Sequence, residues 1–177
     1  MNCRIRPELS SPKKIFALGT AVLLALTVFA GAAAAQVKAE KKGNRSYFYA
    51  GGGIELSQNS LLYYAMSEVA SITYDVNDLM AVGFKVTMSE NFGGTVVAEP
   101  GLYYRLYVAK FLWGRVFAQF DLGASYIMDD EDMYPEPLMG VSAGVRFPFL
   151  GMFYAEPYLR FGYPYMWGLG VTGGIRF

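Results

Sequence analysis

The densest group of chemistry-bearing side chains in this 177-residue sequence is the acidic run Asp129, Asp130, Glu131 and Asp132. Four neighbouring carboxylates could hold a divalent cation, but their spacing is not that of an EF-hand, and they read instead as a solvated acidic surface loop. The usual catalytic groups are missing elsewhere. Histidine is absent, which removes imidazole bases, His metal ligands and His-dependent triads. The single cysteine, Cys3, lies near the start, so Cys-based zinc sites, internal disulfides and a Cys nucleophile go as well. The remaining Asp, Glu and Ser residues form no catalytic constellation, and we expect a non-enzymatic protein with no cofactor and no metal. Fifteen Lys and Arg against fifteen Asp and Glu leave no basic excess to track phosphates, so nucleic acid is not an expected partner.

What positions the sparse charges is the larger question, because the chain is 54% hydrophobic, 17% charged and has a mean hydropathy of +0.25. That is too apolar for a typical water-soluble domain. Part of the excess is an address. Arg4, Arg6, Lys13 and Lys14 precede an apolar run from Ile15 to Ala35 that ends in small residues, the pattern of a helical secretory signal peptide over residues 1–35. An uncleaved membrane anchor is the competing reading, because the run is just long enough to span. Removing the signal removes Cys3 and leaves 11 basic and 14 acidic residues, a net charge of −3. Residues 36–45 then form a short basic lead (Lys38, Lys41, Lys42, Arg45) without apolar period, expected to be flexible and periplasmic.

From residue 46 to 177 the period is two. Met80, Val82, Phe84, Val86 and Met88 alternate with Ala81, Gly83, Lys85 and Thr87, and the same split recurs over residues 95–108, 115–126, 139–147, 153–162 and 167–177. Residues 46–57 read as a further strand. The segment 62–76 reads as a strand with room for a short helix around 64–69. Eight strands over 132 residues leave about 16 residues for each strand and connection, enough for tilted crossings of a bilayer. Tight turns at 77–78, 109–112 and 148–151 alternate with other connections, of which residues 128–137 form the longest.

One face of every strand is apolar, and the charges gather on the other. Lys85, Arg105, Arg115, Arg146, Arg160 and Arg176 share that face with Glu55, Asp75, Glu99, Asp121 and Glu156, and only Glu68, expected near a strand end, falls on the apolar side. In lipid, strands cross only as a closed ring, and a cation on the lipid face would cost about 2–4 kcal/mol at the midplane. We therefore expect an all-β, single antiparallel up-and-down transmembrane barrel of eight strands. Its interior should be just wide enough for side chains to fill, with the charges paired as a plug. Glycines on the lumen face should make room for crossing tyrosines and arginines. Two segments, Ala98-Glu99-Pro100 and Ala155-Glu156-Pro157, repeat with Glu inward and Pro outward, and each proline should mark a bulge or broken pairing.

These eight strands and the closing run Gly170-Val171-Thr172-Gly173-Gly174-Ile175-Arg176-Phe177 resemble the small outer-membrane β-barrel family, the class of the OmpA transmembrane domain and of OmpX-like and OmpW-like barrels. The resemblance implies an outer-membrane location after export and membrane lipid as the surroundings. It also implies that Val171, Ile175 and Phe177 are read by the barrel-assembly machinery, although Thr172 stands where a glycine is often found. A monomer is expected, in a structural or surface-interaction role with no partner nameable from sequence. The alternatives are a narrow channel or path for small hydrophobic molecules, and a soluble ligand-binding barrel of lipocalin type.

Overall fold

The computed structural model describes residues 47–59, 64–91, 95–129 and 132–177. The expected signal peptide (1–35) and lead (36–45) lie outside the described residues. Eight strands follow in chain order: β1 (Tyr47–Asn59), β2 (Tyr64–Asp75), β3 (Met80–Asn91), β4 (Val96–Phe111), β5 (Gly114–Asp129), β6 (Asp132–Phe149), β7 (Phe153–Tyr163) and β8 (Tyr165–Arg176). Each pairs antiparallel with the next, and β1 pairs with β8, so the sheet closes into an up-and-down barrel. Closure gives every strand a partner on both sides, so the ring itself has no edge strand.

The two-residue period sets the register, since a slip of one residue would turn every side chain to the opposite face. On β4, buried Gly101, Tyr103, Arg105 and Tyr107 alternate with exposed Leu102, Tyr104, Leu106 and Val108. On β7, Tyr154, Glu156, Tyr158 and Arg160 are buried between exposed Pro157, Leu159 and Phe161. The start of β1 and the end of β8 share one end of the barrel, the terminal end, with the links β2–β3, β4–β5 and β6–β7, and the β5–β6 and β7–β8 links lie at the opposite, loop end. In the β2–β3 turn, Asn77 Oδ1 accepts from the amides of Leu79 (2.8 Å) and Met80 (2.9 Å), a local bond that reverses the chain without help from elsewhere. At β6–β7, Leu150 and Gly151 take positive φ values of 47° and 77°, the sense that suits the right-handed twist of a hairpin.

Several expectations change. Residues 64–69 are strand, not helix, and β2 is a full crossing. Glu68 consequently sits within β2 rather than near its end, on the outward face between Ile54 and Met88, and it is not alone there, since Glu90 at the end of β3 has the same parity opposite Met66. The long loop expected over 128–137 is β-hairpin instead: β5 and β6 stay in register to Asp129↔Asp132. The acidic run is thus split, with Asp129 and Asp132 in strands and Asp130 and Glu131 outside the described residues. Pairing of β6 with β7 begins only at Met139↔Tyr163, so residues 132–138 overhang their neighbour and pair on one side. Pro135 and Pro137 lie in that overhang, where the free side leaves a missing amide donor nothing to break. This proline-bearing stretch looked loop-like because proline is scarce in strands paired on both sides.

The two Glu-Pro segments behave as their prolines require. The β4–β5 ladder is interrupted between Ala98↔Tyr126 and Gly101↔Gly123, and the β6–β7 ladder between Gly144↔Tyr158 and Phe147↔Ala155. On its other edge each proline keeps register, as Val86↔Pro100 and Pro157↔Val171.

Candidate functional site

Strand parity turns eleven charged side chains to the lumen face, and the structure sorts ten of them into two clusters. Toward the terminal end, Asp75 accepts from Arg115 Nη2 (2.7 Å) and from the Tyr107 hydroxyl (3.0 Å), with Arg146 Nη1 at 3.6 Å. Glu156 accepts from Arg105 Nη1 (2.8 Å) and from Arg146 Nε. On the loop side of these residues, Arg160 is held between Glu55 (2.6 Å) and Glu99 (2.7 Å), Glu55 also accepts from the Tyr158 hydroxyl (2.8 Å), and Lys85 lies 3.2 Å from Asp121. Gln119 joins the clusters. Its carbonyl oxygen accepts from Arg105 Nε (2.9 Å) and Nη2 (2.7 Å), while its amide donates to Asp121 (2.8 Å), which also accepts from Ser142 (2.8 Å).

Nine of the ten are buried, and Arg115 retains 18% side-chain exposure. Each guanidinium has its edge on a carboxylate and its face on an aromatic ring: Arg105 over Phe117 (3.9 Å), Arg115 over Tyr107 (3.8 Å), Arg146 over Tyr49 (3.9 Å) and Arg160 over Tyr165 (3.5 Å). The planar cation uses both of its binding modes at once, and lysine could not replace it on equal terms. Some strand backbone has to stay bare to admit these rings. A side chain at Gly83 would collide with Tyr103, and one at Gly140 with Tyr165.

The two repeated segments exchange partners across the barrel. Arg105, following Glu99 on β4, pairs with Glu156 on β7, whereas Arg160, following Glu156, pairs with Glu99. Sequence shows the repetition but not the exchange, which depends on which strands face one another. Arg176, grouped with the lumen charges by alternation, stands apart: it donates to the Gly151 carbonyl oxygen (2.6 Å) at the exposed rim and lies over Tyr47 at 4.7 Å. Setting it aside leaves Lys85, Arg105, Arg115, Arg146 and Arg160 against Glu55, Asp75, Glu99, Asp121 and Glu156, a neutral ion-paired set.

Space inside is equally uneven. Between the clusters a void of about 20 Å³ remains, bordered by Lys85, Arg105 and Gln119, room for about one water. At the terminal end a vestibule of about 970 Å³ opens, with Arg115 and Arg146 among its walls. Sequence reasoning missed two of the residues that shape this interior. Gln119 is a neutral side chain on a strand full of stronger signals. Lys110, expected in a tight turn over 109–112, lies in β4 instead, and the register shift between Tyr107 and Ala109 sets it opposite Arg115 and into the vestibule wall.

The outer surface is the inverse of the lumen. Leu102, Val108, Leu122, Val141, Phe161 and Leu169 are exposed there at 48–67%. Aromatic rings gather near both rims. Phe111, Trp113 and Phe147 stack at 5.5 and 5.3 Å and Phe149 meets Phe153 at 5.9 Å at the terminal end, while Tyr64 meets Trp167 at 6.3 Å at the loop end. Such girdles mark the water interfaces of membrane barrels. Of the three closing residues, Val171 and Phe177 are exposed at 46% and 39%, Ile175 is half-buried, and the Phe177 amide bonds the Phe48 carbonyl oxygen (2.8 Å). Among the described residues no group of three acidic, His or Cys side chains is placed to hold a metal.

No protein-family model matches this sequence, and no curated protein matches it. Solved structures do. The chain is similar to Neisserial surface protein A, with 15% identity over 74% of this chain and 95% of that one and a TM-score of 0.55. It is similar to the N-terminal β-barrel domain of Pseudomonas aeruginosa OprF, with 18% identity over 77% of this chain and all of that one and a TM-score of 0.56. At these identities the likeness concerns architecture alone, and it agrees with the geometry above: the chain has the fold of the small eight-stranded outer-membrane β-barrels.

Proposed function

We propose that this chain is a non-enzymatic integral protein of a bacterial outer membrane, exported by its N-terminal signal, with a structural or surface-interaction role and a lumen closed by paired charges. The observation that carries this reading is the inversion: ten ion-paired side chains inside, an apolar surface with aromatic rims outside. A soluble ligand-binding barrel of lipocalin type requires the opposite arrangement. On this reading membrane lipid covers the outer face, the barrel-assembly machinery reads Val171, Ile175 and Phe177, and the terminal end faces the periplasm. The β5–β6 hairpin supports surface interaction, since it stands beyond β7 and exposes Met133 at 62%.

Refolded protein should migrate differently on gels before and after heating, sediment with outer membranes, and show no discrete conductance steps in planar bilayers. Partition into detergent-free buffer would overturn the membrane reading. Conductance steps lost on substituting Arg105 or Arg146 would overturn the closed lumen and establish a channel.

A further inference from the structure

Lys110 on β4 lies opposite Arg115 on β5, and Arg115 lies opposite Arg146 on β6, so three cations stand side by side on three consecutive strands. Like charges placed directly across a sheet repel. Asp75 answers two of them, at 2.7 Å from Arg115 and 3.6 Å from Arg146, but among the described residues Lys110 forms no ion pair. All three border the 970 Å³ vestibule, and Arg176 joins them from β8, again without an ion pair among the described residues. Asp75 and Glu156 compensate Arg115 and Arg146 from beneath, so the charge left over at the mouth is that of Lys110 and Arg176, against the single wall carboxylate of Asp78. The bulge after Tyr107 is what recruits Lys110 to this row, and without it the side chain would face outward.

A local surplus of positive charge in a concave, aromatic-walled space focuses potential on whatever enters it. We propose that the vestibule is an anion-binding site for phosphate- or carboxylate-bearing ligands, with Lys110, Arg115 and Arg176 making the contacts. Arg146, packed behind Tyr49, adds charge from below. The volume suits a small molecule or a lipid headgroup. The chain's own basic lead joins the barrel at this end but carries the same sign as the vestibule, which disqualifies it as the occupant. The site lies at the open mouth, so it does not depend on whether the lumen conducts.

The test uses the full chain folded in neutral detergent, titrated calorimetrically with inorganic pyrophosphate and, in a second arm, with micelles doped with phosphatidylglycerol. Wild-type protein should bind one or both, more weakly as salt rises. Lys110→Gln and Arg176→Gln should each weaken binding about ten-fold, the scale of one lost charge-assisted contact, and the pair should abolish it. Glu136→Gln at the opposite end should change nothing. Binding in the pyrophosphate arm identifies a soluble anion, and binding in the doped micelles alone identifies a headgroup. Absence of binding in both arms, or binding indifferent to Lys110 and Arg176, would overturn the site. Both variants lie outside the ion-paired clusters, and a gel shift on heating verifies that each is folded, so failure here is distinguishable from failure of the barrel reading.

Discussion

The loop-side and terminal-side clusters use the same residue types but differ in sign and in access to water. The loop-side group sets Lys85 and Arg160 against Glu55, Glu99 and Asp121, one negative charge in excess. The terminal-side group sets Arg105, Arg115 and Arg146 against Asp75 and Glu156, one positive charge in excess. Gln119 touches Arg105 from one group and Asp121 from the other, so the two surpluses meet across a single amide. Unbalanced charge is costly in a dry interior. The arrangement shows how it is tolerated: the loop-side excess is offset by its neighbour, while the terminal-side excess, enlarged by Lys110 and Arg176, borders open space where water or a counterion can reach.

The largest expected effect lies in the sealed cluster. Arg160→Met strands both Glu55 and Glu99 and should cost about 3–5 kcal/mol in urea unfolding from lipid vesicles, the range for breaking a buried pair. Gln119→Leu cuts the junction, leaving donors of Arg105 and an acceptor of Asp121 without their partner, and should cost about 1–3 kcal/mol in the same assay. Arg115→Gln removes a cation that still meets water, and about 1 kcal/mol is expected. If Arg115→Gln proves as costly as Arg160→Met, the distinction between a sealed and a water-backed cluster collapses. Smallest of all is Tyr165→Phe. The buried hydroxyl of Tyr165 has no hydrogen-bond partner among the described residues, so its removal should shift stability by less than about 0.5 kcal/mol while the ring stays over Arg160. A large loss there would mean that the hydroxyl, rather than the ring face, supports the cation.

How far these features were legible varies with their range. The apolar faces of β3, β4, β5 and β7 repeat every second residue, a local property that needs no knowledge of neighbours. The Glu-Pro segments announced interrupted ladders because proline lacks a donor wherever it sits. By contrast, the turn expected over 109–112 hides Lys110, which continues β4 and reaches the vestibule only through a one-residue bulge that nothing near Tyr107 signals. The hairpin over 128–137 reads as a loop in the sequence because its prolines are acceptable only where β7 has already ended, which is a fact about another strand.

Sequence by itself determined the period of two, the sidedness of each strand and therefore which charges share an enclosed face, since a strand's alternation is set by its own backbone geometry. It could not determine who pairs with whom. That Arg105 reaches Glu156, that Arg160 reaches Glu99, and that Lys110, Arg115 and Arg146 form a row all follow from shear and closure, which bring strands distant in sequence to the same height across or around the barrel.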